Sequence, residues 1–159
     1  MSLLPFFEWM QGSSLSALFL ESVWLMPIIQ CVHLVALTAF AGAILVVDMR
    51  LLGRGLTKTP LAQVARDAQP WLIWAFVVLL VTGLPQLTST ALKQYYSPFF
   101  WWKMEGLLLG LIFTFTLRRK ITLADEVRLG PFWPKVVGLS SIVIWTGVTI
   151  GARLIGLLS

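Results

Sequence analysis

The run from Trp24 to Val47, WLMPIIQCVHLVALTAFAGAILVV, limits what this chain can fold into more than any other feature. Only Gln30 and His33 within it are strongly polar. At about 1.5 Å per residue, a helix of this length crosses the roughly 30 Å of bilayer hydrocarbon. The run therefore reads as a transmembrane helix. His33 then lies about 13 Å along the helix from Trp24, near the middle of the membrane. An ionisable group at that depth is a functional-site candidate by default.

Three further segments repeat the pattern, at about Trp71 to Thr90, Pro98 to Leu117 and Phe132 to Leu158. They explain why 58% of the 159 residues are hydrophobic and only 12% charged, where a soluble domain carries about 25% charged residues. The net charge of +5 would suggest nucleic acid in a soluble protein, but here the cations collect between spans. Arg50, Arg54, Lys58 and Arg66 lie in the first connection, Arg118, Arg119, Lys120 and Arg128 in the third, and Lys93 alone in the second. This is the orientation signal of a membrane protein. It predicts a multi-pass protein of the bacterial inner (cytoplasmic) membrane, with the first and third connections cytoplasmic and both termini periplasmic. Trp24, Trp101 and Trp102 fit the outer interface and Trp71, Trp74 and Trp133 the inner one, while Trp145 falls near the midplane.

The amino terminus has no basic run and carries Glu8, unlike a cleaved signal peptide. Residues 1–23 read as an interfacial segment resting on the membrane surface, with Ser13 or Ser14 capping a short helix. Pro27 predicts a kink where that segment enters the first span, and Gly83-Leu84-Pro85 a kink in the second. A helix is expected to begin near Thr59 or Pro60, because Pro suits a first helical turn. Short connections make successive helices antiparallel neighbours. The expected fold is thus an all-α integral membrane protein, with residues 24–159 forming an up-down four-helix bundle.

Glu21, Ser22, Trp24, Pro27, His33, Gly42 and Asp48-x-Arg50-Leu51-Leu52-Gly53 form the pattern E-S-x-W-x-x-P, H, G, D-x-R-L-L-G. Pro70-Trp71, Thr82-Gly83, Phe99 to Lys103 and Gly151-Ala152-Arg153 continue it. In these features the chain resembles an uncharacterised bacterial family of four-span membrane proteins. The resemblance implies topology and supplies no activity. The histidine that many such proteins carry near the end of the third span is missing here, where the sequence reads FTFTLRRK.

His33 shares a helix face with Gln30 and Leu37, a face expected to point into the bundle. Neutral imidazole is a common axial ligand of haem b, and four-helix bundles are common cofactor hosts. With a single histidine, a haem iron on His33 needs an open position, a non-histidine ligand or His33 of a second subunit. The bland alternative is a histidine hydrogen-bonded to Gln30, Thr38 or Thr82. Cys31, Met26 and Met104 with His33 suggest a soft metal such as Cu(I) only weakly, since positions 31 and 33 lie on different helix faces. Cys31, the sole cysteine, excludes an intrachain disulfide. Toward the outer face, Glu21, Gln86, Lys103, Glu105 and Arg153 form a second polar group, with Glu105 to Arg153 the expected bridge and an anion or quinone headgroup the candidate ligand. At the inner face, Asp48, Arg50, Arg66, Asp67 and Arg118 (or Arg119) are expected to pair at helix ends and to attract anionic membrane lipids.

Two functional classes stay open. One is a haem- or quinone-binding subunit of membrane electron transfer, built around His33, Gln30, Thr82 and Trp145, as a homo-oligomer or beside a larger membrane partner. The other is a non-redox transporter, channel or accessory scaffold in which the histidine is structural. No phosphate loop, zinc-type histidine pair or nucleic-acid motif is present.

Overall fold

The computed structural model describes residues 3–124 and 130–158, with the side chains of residues 153 and 155–158 outside that description. The described residues are helical, and four of the helices are long and apolar enough to cross a membrane. The chain is an all-α multi-pass membrane protein.

The first span is α3 (Leu25–Leu51). Its buried residues Ala36, Phe40, Ala43, Ile44, Val47, Asp48 and Leu51 recur at steps of three and four, the stripe a helix turns toward its neighbours. Pro27 sits in its first turn, where no kink is needed, because the chain breaks before it at Ser22 to Trp24. The second span is one continuous helix, α4 (Leu61–Ser89), running through Pro70 and Pro85. It begins well ahead of the apolar segment at Trp71, so its first turns stand in the basic connection. There Arg50 Nε donates to the Thr59 carbonyl at 2.8 Å and ties α3 to the approach of α4.

The third span is α6 (Pro98–Phe113), followed without a break by a π-helical stretch, Thr114–Arg118, and α7 (Arg119–Leu123). The fourth is α8 (Phe132–Leu158). Around the bundle α4 packs on α3, α3 on α8, and α8 on α6. The α8 contacts depend on glycine. A Cβ on Gly138 would stand 3.0 Å from Leu51 Cβ and 3.2 Å from the Asp48 carbonyl, and one on Gly110 3.2 Å from the Trp145 ring. By contrast α4 and α6 barely touch; only α7 closes the bundle against α4, at the end carrying the basic connections.

The amino-terminal segment forms two short helices set apart from the spans. Helices α1 (Leu4–Gln11) and α2 (Ser14–Glu21) pack on the end of α4 and on a short helix α5 (Ala91–Tyr95). Phe7 and Met10 are buried with Ala91 and Phe100. Gln11 Oε1 accepts from the Leu92 N–H at 2.8 Å, and the Ser16 hydroxyl donates to the Thr88 carbonyl at 3.3 Å. Phe7 and Met10 thus find protein partners, while Phe6, Trp9, Leu15 and Leu18 stay exposed. Ser13 is the cap of α2, its hydroxyl accepting from the Ser16 N–H at 3.3 Å.

Candidate functional site

The polar side chains inside the spans gather at two places, one near each end of the bundle. The first surrounds His33. Its Nδ1 lies 2.7 Å from Thr82 Oγ1, across the contact of α3 with α4. The single Thr82 hydroxyl proton goes to the Val78 carbonyl, also at 2.7 Å. Oγ1 therefore accepts from the ring, Nδ1 carries the hydrogen, and Nε2 is left with its lone pair. Gly83 packs beside the ring with room to spare: a Cβ there would meet His33 Cε1 at an ordinary 3.6 Å.

Thr82 starts a polar line along α4 toward the end covered by α1 and α2. Gln86 Nε2 donates to the Thr82 carbonyl at 3.1 Å, the Thr90 hydroxyl to the Gln86 carbonyl at 2.9 Å, and Gln94 Nε2 to Thr90 Oγ1 at 2.7 Å. From α6, the half-buried Lys103 stands close enough to the imidazole to act on it electrostatically. Lys103 has no hydrogen-bond or ion-pair partner among the described residues. A cation in that position inside an apolar span costs several kcal/mol unless something answers it.

The second place lies at the basic end. Arg118 Nε donates to Asp48 Oδ1 at 3.0 Å, and Arg118 Nη2 to the Ile44 carbonyl at 2.8 Å. Asp48 is 0% exposed and Arg118 5%. Thr114 and Arg118, at the two ends of the π-helical stretch, are both buried. Thr114 Oγ1 in turn accepts from Trp145 Nε1 at 3.2 Å. Ser141 on α8 is fully buried beside Asp48. Its hydroxyl and Asp48 Oδ2 have no hydrogen bond of good geometry.

Several residues named from the sequence stand elsewhere. Gln30 and Leu37 are exposed, because the stripe that α3 buries runs through Ile29, His33, Ala36 and Phe40 and leaves both on its flanks. Trp145 is not beside His33. It packs edge-on against Phe40, with ring centroids 4.9 Å apart, two turns further along α3. Glu21 and Glu105 are exposed, away from the polar line on α4. The expected Glu105 to Arg153 bridge lies outside the described residues. At the basic end Arg66 and Asp67 are exposed, and Arg50 turns to Thr59. Cys31 is exposed and Met26 Sδ accepts from the Ser89 hydroxyl at 3.8 Å. Among the described residues no group of three or more His, Cys, Asp or Glu side chains comes together to hold a metal ion.

A family model described as a family of unknown function (DUF6644) matches residues 6–158. The chain belongs to this family. No curated protein and no solved structure matches it. In this DUF6644 member, then, the reading of function rests on the two polar sites. Ser141, Thr114 and Gly110 had not been singled out from the sequence. Gly106-x-x-x-Gly110 carried a readable signal of close helix packing, whereas nothing local marked Ser141 or the π-helical stretch.

Proposed function

We propose that the protein is a small subunit of membrane electron transfer and that the His33, Thr82 and Lys103 site holds the headgroup of a quinone. One observation carries this reading: the half-buried Lys103 ammonium, unpaired among the described residues, lies within electrostatic range of an imidazole whose Nε2 has no partner among them. The two groups complement a quinone in both redox states. The lone pair on Nε2 accepts a hydrogen bond from a quinol hydroxyl, and takes its proton on oxidation. The ammonium stabilises negative charge on a quinone oxygen during reduction. The electrons pass to or from a redox partner subunit. The isoprenoid tail leaves on the side where α4 and α6 stand apart, directly into lipid. With the basic connections in the cytoplasm of a bacterium, the headgroup sits in the periplasmic half of the inner membrane, and both termini are periplasmic.

A haem b reading draws on the same geometry. A ring N–H donated to an oxygen is how metal-ligating histidines are commonly oriented, and Nε2 would face the iron, with a second copy of the chain supplying the other ligand. One experiment separates the readings. The protein is purified in mild detergent from bacterial membranes, beside His33→Ala and Lys103→Gln variants. Oxidised and dithionite-reduced spectra are recorded, and the organic extract is chromatographed for quinone. Stoichiometric quinone that is lost in both variants is the expected result. A Soret band that vanishes in His33→Ala would assign haem instead. A colourless, quinone-free wild-type protein would refute the redox reading and leave His33 as a structural residue held by Thr82.

A further inference from the structure

At the opposite end from His33, a cavity of about 50 Å³ opens between α3, α4 and the turns from Thr114 to Leu123. Its walls include Ala43, Ala68, Gln69, Arg118, Arg119 and Thr122. It lies at the basic end of the bundle, where α7 meets α4. We propose that this cavity binds the phosphodiester of an anionic phospholipid, with Arg118, Arg119 and Gln69 as its ligands.

Four observations converge on that chemistry. The first is depth. Arg118 lies twenty residues beyond Pro98, the start of the third span. That is about 30 Å along the helix, the thickness of the hydrocarbon, which puts the guanidinium at the level of headgroup phosphates. The second is orientation. Asp48 Oδ1 and the Ile44 carbonyl hold one edge of the guanidinium at 3.0 and 2.8 Å. Its remaining N–H donors have no partner among the described residues, and a planar fork with free donors suits the oxygens of a phosphate. Asp48 is therefore a positioning residue for this site.

The third is charge. Asp48 neutralises Arg118, but Arg119 and Lys120 follow on exposed positions with no acidic partner among the described residues. The rim is net positive, which favours a lipid with net negative charge over a zwitterion. The fourth is the amide of Gln69, a further wall group without a hydrogen-bond partner among the described residues. The Thr122 hydroxyl is committed, donating to the Arg119 carbonyl at 3.1 Å, and takes no part.

The test is native mass spectrometry of the detergent-purified protein, titrated separately with phosphatidylglycerol, phosphatidylcholine and inorganic phosphate. Phosphatidylglycerol should bind at least about fivefold more tightly than phosphatidylcholine, the effect of one cation at an anionic membrane surface. Arg119→Gln and Gln69→Leu should each weaken it, the first by about fivefold. Arg54→Gln, an exposed cation of the first connection outside the cavity wall, should leave it unchanged. None of these substitutions removes the buried Asp48 and Arg118 pair, so folding is preserved. Equal binding of the two lipids would overturn the proposal. So would equal losses in Arg119→Gln and Arg54→Gln, which would mean diffuse attraction. Displacement of phosphatidylglycerol by inorganic phosphate at similar concentration would instead assign a free-phosphate site and refute the lipid.

Discussion

Replacing Arg118 with Met should be among the most damaging single changes in this protein. Asp48 is 0% exposed and its one ion-pair partner is Arg118 Nε at 3.0 Å. Its other oxygen, Oδ2, has no hydrogen bond of good geometry among the described residues. Removing the guanidinium leaves a buried carboxylate uncompensated, which costs about 3–5 kcal/mol. The lost bond to the Ile44 carbonyl adds little, because that oxygen also accepts within α3. Asp48→Leu should fall at the lower end of the same range, since Arg118 lines a cavity and can draw solvent or headgroups to itself. The double variant should be within about 2 kcal/mol of wild type, because a well-packed apolar pair often replaces a buried ion pair without loss. The assay is equilibrium unfolding in mixed micelles with rising dodecyl sulfate, followed by the fluorescence of the 8 tryptophans. Two results would refute the reasoning: an Arg118→Met protein within about 1 kcal/mol of wild type, or a double variant whose loss equals the sum of the single losses.

Gly138→Ala should cost about 1–3 kcal/mol in the same assay, because its Cβ would press on Leu51 Cβ at 3.0 Å and on the Asp48 carbonyl at 3.2 Å. Gly83→Ala should be neutral or stabilising by up to about 1 kcal/mol, since the nearest atom to its Cβ, His33 Cε1, is at an ordinary 3.6 Å. Thr82→Val removes the acceptor at 2.7 Å from His33 Nδ1 and should destabilise by about 1–3 kcal/mol, whereas Thr82→Ser should retain most of the stability. Ser13→Ala deletes the cap bond to the Ser16 N–H. It should speed hydrogen exchange at the first amides of α2, consistent with a local loss of about 1 kcal/mol, and leave exchange in α3 unchanged.

The spans were readable because membrane burial writes itself into composition: a run such as Trp24 to Val47 has only one comfortable environment. Their ends were less so. Pro60 announced a helix start, and the Gly83-Leu84-Pro85 stretch, read as a kink, leaves the helix from Leu61 to Ser89 unbroken, since the carbonyl that Pro85 frees is one among many in a long hydrogen-bonded helix. The short amino-terminal helices were legible as a segment apart from the spans, but their protein contacts were not. Their amphipathic pattern looks the same whether Phe7 and Met10 enter lipid or protein, and the deciding partners, Ala91 and Phe100, lie some ninety residues away. At the candidate site His33 and Thr82 were nameable from type and depth. The spacing of Gln30 could not say which side of His33 faces α4. Asp48 and Arg118 were both named at one end of the bundle, but their pairing with each other, seventy residues apart, was one of several that the basic end allowed.

The dry block between the two polar sites bears on what one copy of the chain can do. His33 and Asp48 are fifteen residues apart on α3, about 22 Å. Between them Phe40 is 3% exposed and is enclosed by Ala43, Ile44, Leu72 and Ala75, with Phe76 and Trp145 against that cluster. The one polar atom of Trp145, Nε1, is turned away to Thr114. An ion or proton crossing a single bundle would have to traverse this apolar layer without a side chain to accept it, at a cost of several kcal/mol or more. The polar line from Thr82 through Gln94 therefore opens His33 to one side of the membrane and no further, and the Arg118 cavity opens to the other. Two one-sided sites joined by a packed core suit a protein that holds ligands at fixed depths in the bilayer better than one that conducts across it.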